Sequence, residues 1–192
     1  MDFKKTIEDM RAFGYLPIPD LVMLKTDVNT TALLMRGIRY FCGESGTWQP
    51  EYDEVAAWLA DNEGRGLLCY GDCGRGKTLL CGKIIPLLVN HLYRKVISCY
   101  DAKRINRDIN DMLTKKLIYI DDIGVENESV KCGERRQCFV ELVDEAEKSG
   151  KLLILTTNLS LEQMEDKYGL RTIDRLRAIT KTVLFQGDSL RK

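Results

Sequence analysis

No charge of one sign dominates this chain: 29 Lys and Arg residues stand against 29 Asp and Glu, so the formal net charge is zero. That excludes a global basic field of the kind that by itself marks a nucleic-acid binder, and any contact with a phosphate backbone has to come from a local patch. Histidine is nearly missing, with His91 the single copy. The 7 cysteines, at 42, 69, 73, 81, 99, 132 and 138, form no CxxC pair and so supply no zinc-type ligand set. Their odd number and their placement in apolar stretches read as reduced thiols in a cytosolic setting. No apolar run reaches the length needed to cross a bilayer. The opening MDFKKTIEDMRAFG has no apolar signal core, so a cytoplasmic location and no membrane partner are the expectations.

What is present is a phosphate cradle. Residues 71 to 78 read GDCGRGKT, the pattern of Gly, four residues, Gly, Lys, Thr in which backbone N–H groups surround a phosphate. Leu67-Leu68-Cys69-Tyr70 before it has the length of a buried strand, and the stretch from Lys77 to about Tyr93 reads as a helix. Strand, glycine turn and helix N-terminus together concentrate inward N–H groups and partial positive charge. Gly71, Gly74 and Gly76 supply backbone conformations that a Cβ would obstruct. Lys77 is expected to reach the β and γ phosphates of ATP, and the Thr78 hydroxyl to ligate Mg²⁺. Asp72, Cys73 and Arg75 are expected to serve through their backbone more than their side chains, with Leu79 completing the nucleotide-binding run. Cys73 lies inside the loop, where oxidation or alkylation would block nucleotide.

Two further strands end in polar tips. Leu117-Ile118-Tyr119-Ile120 is an apolar run closed by Asp121 and Asp122. A buried parallel strand of this type delivers its first carboxylate to the Mg²⁺ shell at the sheet edge. Asp121 is therefore assigned to the metal, through water, and Asp122 to polarising the attacking water. Leu152-Leu153-Ile154-Leu155-Thr156-Thr157 is a second such strand, whose tip Asn158 can hydrogen-bond that water or the γ-phosphate from the side opposite Asp122. Ser160 and Gln163 then form a capping box.

The remaining chain is less specific. Phe3, Ile7, Met10 and Arg11 form a weak helical stripe ended by Gly14, Pro17 and Pro19. Asn29-Thr30-Thr31 can cap a helix carrying Leu33, Leu34, Ile38 and Phe41 and closed by Gly43. Residues 1–50 are taken as a small helical segment, either a pad on the core or a surface for partner docking, and residues 51–192 as the catalytic domain. A helix from Glu51 to Asp61 presents Val55, Trp58 and Leu59; Trp58 serves the core or a base pocket. Pro86 should kink the helix after the cradle, with Gly82 easing the clash. Val96–Tyr100 reads as a strand, Asp101–Met112 as a helix bearing Lys103, Arg104 and Arg107, and 133–150 as a helix. From Arg94 to Lys116 there are 7 basic and 3 acidic residues, which fits a solvated face and a single-stranded DNA patch equally well.

This succession resembles the AAA+ ATPases, and within them the DnaC/IstB-like branch of bacterial helicase loaders and transposition helper ATPases. The resemblance is carried by GDCGRGKT, LIYIDDIG at 117–124, LLILTTNLS at 152–160, YGLRTIDRLR at 168–177 and FQGDSLR at 185–191. It implies an α/β P-loop fold with a mostly parallel five-stranded sheet flanked by helices. It also implies that Asn158 acts as sensor 1, that Arg191 touches the γ-phosphate in cis, and that Arg175 acts as an arginine finger in a neighbouring subunit's site, with Arg171 the runner-up. A homo-oligomer that hydrolyses ATP and remodels a protein client such as a replicative helicase follows from that likeness. The departures are Asp122 where many relatives carry Glu, with Glu126 a weak substitute, an interval from Tyr100 to Lys116 too short for the extra helical insertion with which such loaders grip DNA, and a chain ending just after Arg191, from which no separate lid domain is expected. A small phosphotransferase and a nucleotide-gated adaptor with little hydrolysis remain as alternatives.

Overall fold

The computed structural model describes residues 1–14, 19–126, 129–131 and 134–191. Five strands, β1 (Gly66–Gly71), β2 (Ser98–Asp101), β3 (Leu117–Ile123), β6 (Leu152–Thr157) and β7 (Thr180–Phe185), form one parallel sheet in the order β2-β3-β6-β1-β7. Two short strands, β4 (Ser129–Lys131) and β5 (Glu134–Arg136), pair antiparallel outside it. Successive side chains of a strand face opposite sides, so the apolar runs feed two cores. Leu67, Cys69, Tyr119, Ile154 and Val183 pack on one side under α2 (Thr30–Cys42), α3 (Tyr52–Ala60) and α4 (Ile85–Tyr93). Leu68, Ile118, Ile120, Leu153 and Leu155 pack on the other, with α5 (Ile105–Met112), α6 (Cys138–Ser149), α7 (Leu161–Tyr168) and α8 (Leu170–Ile179). The α/β architecture is the one implied by the motif order.

The first fifty residues do not form a unit apart. The Asn29 Oδ1 caps α2 by accepting from the Ala32 N–H at 2.9 Å, and Gly43 closes it at a φ of 62°. Leu34 and Ile38 of that helix, with Val22 and Leu24 before it, are buried in the same core as β1. Gly37 lets α2 approach Ile84 so closely that a Cβ would meet its side chain. Buried Asn62 fastens residues 22–24, accepting from the Leu24 N–H at 2.7 Å and donating to the Val22 carbonyl at 2.9 Å. A division at residue 50 therefore cuts through one hydrophobic core. Helix α1 (Phe3–Ala12) stands off it, with no buried residue and with Phe3 69% exposed, and Phe13 just after it is 91% exposed.

Pro86 acts through a change of helical register rather than a simple kink. Leu79–Ile84 forms a π-type turn, in which the Ile85 N–H bonds to the Leu80 carbonyl five residues back, and α4 then starts with Pro86 in its first turn, where a missing N–H leaves nothing unpaired. Gly82 serves close approach: a Cβ there would lie 2.8 Å from the Tyr119 ring. Three boundaries differ from the sequence reading. The second strand forms at Ser98–Asp101 and not Val96–Tyr100, the first turn of the 101–112 helix is a 3-10 turn (Ala102–Arg104), and α6 starts at Cys138 because β5 occupies residues 134–136. Gly133 lies outside the described residues. The Ser160–Gln163 capping box is present at the start of α7. Among the described residues no helix is long and apolar enough to cross a membrane.

Candidate nucleotide-binding site

Strands β3, β6 and β1 are neighbours in the sheet, so their carboxyl ends open side by side. There a cleft of about 610 Å³ is lined by Cys73–Leu79, Asp121, Asp122, Thr156, Asn158 and Arg191. Gly74 and Gly76 take φ of 78° and 91°. A Cβ on Gly74 would collide with Ser189, and one on Gly76 with the Tyr52 hydroxyl, so the loop tolerates only glycine at both places. Lys77 is 6% exposed, and its ammonium donates to the carbonyls of Gly71 at 2.8 Å and Asp72 at 2.7 Å. Burial holds its pKa below the ordinary lysine value.

Both carboxylates reach the cleft because β3 carries a bulge. Pairing runs Ile120 with Leu155 and then Ile123 with Thr157, so Asp121 and Asp122 together oppose the single residue Thr156. An extra residue breaks the alternation that would otherwise send neighbouring side chains to opposite faces. Asp122 takes the left-handed conformation, φ 60°, which aspartate tolerates better than most residues. Thr156 closes the bulge, its hydroxyl accepting from the Asp122 N–H at 3.0 Å and donating to Asp121 Oδ1 at 2.6 Å. The same Oδ1 accepts from Thr78 at 2.9 Å and Tyr119 at 2.6 Å. Burial, with Cys81 and Asp121 adding to it, pushes the Tyr119 phenol far above its ordinary pKa and keeps it a donor. Asn158 Nδ2 donates to Asp122 Oδ1 at 2.8 Å. The two strand tips thus touch each other directly rather than facing across a gap.

The residues fit the group implied by the motif. Hard oxygen donors from Thr78 and Asp121 stand 2.9 Å apart, the type of set that Mg²⁺ takes while keeping several waters. An inward-facing glycine loop with a buried ammonium suits a polyphosphate. The rest of the cleft is lined by Ile38, Phe41, Tyr52, Leu79 and Lys83, with the Lys83 ammonium 5.7 Å from the centre of the Phe41 ring. α2 therefore supplies one wall of the site, a contribution invisible in the sequence beyond its apolar stripe.

Several sequence assignments need correction or relocation. The Arg75 side chain does not idle: it is buried, its Nε and Nη2 donate to Glu51 Oε1 at 3.0 and 2.8 Å, and Nη2 also donates to Gln49. Asp72 likewise uses its carboxylate, accepting from the Gly187 N–H at 2.8 Å. Glu126 is no stand-in for a catalytic base, because its oxygens accept from Tyr168 and from the Gly124 N–H and close the turn after β3. Trp58 is 1% exposed and donates to the Arg65 carbonyl, a core residue outside the cleft. Arg175 is not among the residues lining its own chain's cleft; its guanidinium pairs with Asp144 and, at 3.0 Å, with Glu147 on α6. Arg171, one turn earlier, is exposed and makes no ion pair among the described residues. Arg104 and Arg107 both pair with Asp108, at 3.2 and 2.9 Å, which leaves Lys103 as the less neutralised member of that group. Tyr119, Thr156 and Glu51 went unnoticed in the sequence. A hydroxyl inside an otherwise aliphatic strand was the available signal for the first two.

No protein-family model matches this sequence, and no curated protein matches it. Solved structures do. The chain is similar to the crystal structure of DnaI, at 14% identity over 88% of both chains with a TM-score of 0.54. It is similar to the DnaC helicase loader, at 18% identity over 84% of this chain and 93% of that one, TM-score 0.53. It also matches AMPPCP-bound DnaA from Aquifex aeolicus, at 14% identity over 74% of this chain and 49% of that one, TM-score 0.56. The fold is thus the one shared by these DnaI, DnaC and DnaA structures.

Proposed function

We propose that this chain is an ATP-binding and ATP-hydrolysing AAA+ protein that acts as a replicative helicase loader, or as a related helper in replication or element mobility. The observation that carries this reading is the meeting of Lys77, Thr78, Asp121, Asp122, Asn158 and Arg191 in one cleft at the carboxyl edge of a parallel sheet. Likeness to DnaI and the DnaC helicase loader over most of both chains supports the loader class.

In this reading Lys77 and the loop N–H groups hold the β and γ phosphates, and Thr78 with Asp121 holds Mg²⁺, which neutralises charge on the phosphate oxygens. Asp122 accepts a proton from the attacking water, while Asn158, bonded to its Oδ1, keeps that carboxylate aimed. Arg175 is offered to the site of an adjacent copy once it leaves Asp144 and Glu147, and a client helicase responds to the assembly state. Single-stranded DNA is a further candidate partner through Lys103, Arg104 and Arg107.

Phosphate release from ATP in the presence of Mg²⁺, rising in specific activity with protein concentration and abolished by Lys77→Ala, tests the reading. Mixing Arg175→Ala with Lys77→Ala subunits should restore part of the activity. A rate independent of concentration, from a strict monomer, counts against the shared site. One observation favours the adaptor alternative: Asp122 is shorter than Glu and already engaged by Asn158. Tight ATP binding with no phosphate released over hours selects that alternative.

A further inference from the structure

Arg75 sits in the middle of a phosphate-binding loop, yet its charge is turned away from the place a phosphate would occupy. Its side chain is 9% exposed and its partner Glu51 8%. Such a buried pair persists only with its remaining donors satisfied. Two guanidinium nitrogens go to Glu51 and Gln49, and the third, Nη1, donates to the Asp188 carbonyl at 3.2 Å. That last bond joins the loop to the segment after β7.

Asp72 and Gly74 in the loop's first half repeat the pattern. The Asp72 N–H donates to the Phe185 carbonyl at 2.7 Å, and the Asp72 carboxylate accepts from the Gly187 N–H at 2.8 Å. The Gly74 carbonyl accepts from the Leu190 N–H at 3.0 Å, and Ser189 fills the space a Cβ on Gly74 would need. Gly187 stands at a φ of 124°, where a Cβ would lie 3.4 Å from Arg75 Nη1. Residues 186–191 have no regular secondary structure of their own, so these bonds to the loop are what orders them. The last described residue of that segment, Arg191, lines the cleft.

We propose that Asp72 and Arg75 are positioning residues: from inside the phosphate loop they dock residues 186–191 and thereby hold Arg191 at the mouth of the cleft. Recognition of the γ-phosphate by Arg191 is then coupled to the shape of the loop that grips the other phosphates. This rests on the ATP-binding reading above. A loop that is distorted or empty presents a different face to the tail, and a tail that is undocked leaves Arg191 without a fixed direction.

The test has two readouts. Hydrogen exchange reads docking without nucleotide: in the wild-type chain the amides of Gly187 and Leu190 are slow, and in Asp72→Ala and Gly187→Ala they exchange at least about tenfold faster. Both changes lie at the surface or in the tail, and so avoid the folding risk of Arg75→Ala, which strands Glu51. Calorimetric titration with Mg-ATPγS and with Mg-ADP reads positioning. Arg191→Ala and Asp72→Ala should each lower ATPγS affinity about tenfold, the effect of one charge-assisted hydrogen bond, with ADP affinity nearly unchanged. Their combination should be no weaker than Arg191→Ala alone. Equal losses for both nucleotides, additive losses, or unaltered exchange in the variants would overturn the inference. Failure of the wild-type chain to bind either nucleotide overturns the ATPase reading itself, and the inference with it.

Discussion

The two ends of the cleft are built by opposite means. The phosphate end comes from three short contiguous strings, 71–78, 121–122 and 156–158, each placed at the end of a parallel strand. The other side is assembled from Ile38 and Phe41 on α2, Thr47 in a loop and Lys83 beyond the glycine loop, while Tyr52 reaches from α3 to the loop itself and donates to the Arg75 carbonyl. Backbone geometry does the work at the first end, where N–H groups and one buried ammonium need little tolerance for change. Side-chain shape does the work at the second, where a planar apolar surface can be supplied by several residue types. Phosphate recognition should therefore fail abruptly on substitution, and recognition of the rest of the nucleotide should weaken by degrees.

Substitutions at each end break or sharpen that contrast. Lys77→Ala should lower phosphate release about a thousandfold, the upper range for removing a preorganised donor, measured by steady-state phosphate assay. Thr156→Val deletes the hydroxyl that ties Asp121 to the Asp122 N–H, and the same assay should fall about a hundredfold while nucleotide binding survives. At the opposite end, Phe41→Ala should weaken ATP about tenfold by titration and leave inorganic tripolyphosphate binding unchanged. An equal loss for both ligands would erase the distinction between the ends. Tyr52→Phe removes the hydroxyl that donates to the Arg75 carbonyl at 2.8 Å, and should cost about 1 kcal/mol of stability in urea.

A smaller effect concerns pH. Burial lowers the Lys77 pKa, so this base gives up its proton earlier on the alkaline side than an ordinary lysine, and the charge that attracts phosphate goes with it. ATP affinity should accordingly decline as pH rises through that lowered pKa, and the decline should vanish in Lys77→Ala. For the α5 region, the Asp108 pairs of Arg104 and Arg107 reduce the free positive charge, so affinity for single-stranded DNA, if the patch serves it, should have a shallow salt slope of only one to two charges.

Much of the phosphate end was legible because its information is local. GDCGRGKT needs only its neighbours to be a glycine loop, and the caps at Asn29 and Ser160 involve residues three apart. The aim of the carboxylates was not legible, since it depends on a bulge defined by pairing between strands more than thirty residues apart. Nor was the direction of Arg75. Whether an arginine in that loop faces the ligand or Glu51 depends on where residues 49–51 and 186–191 come to lie, and no spacing encodes that. α2 was read correctly as a capped amphipathic helix, yet its role as a wall of the cleft comes from packing against Ile84.

The amino-acid order by itself determined the parallel α/β scaffold, the phosphate loop and the three polar strand tips, because hydrophobic period, glycine placement and strand ends act over a few residues at a time. Tertiary structure alone decided which way Asp122, Arg75 and Arg175 point and that α2 closes one side of the site. Those outcomes depend on contacts between segments distant in the chain, whose energies exist only once the sheet has brought them together.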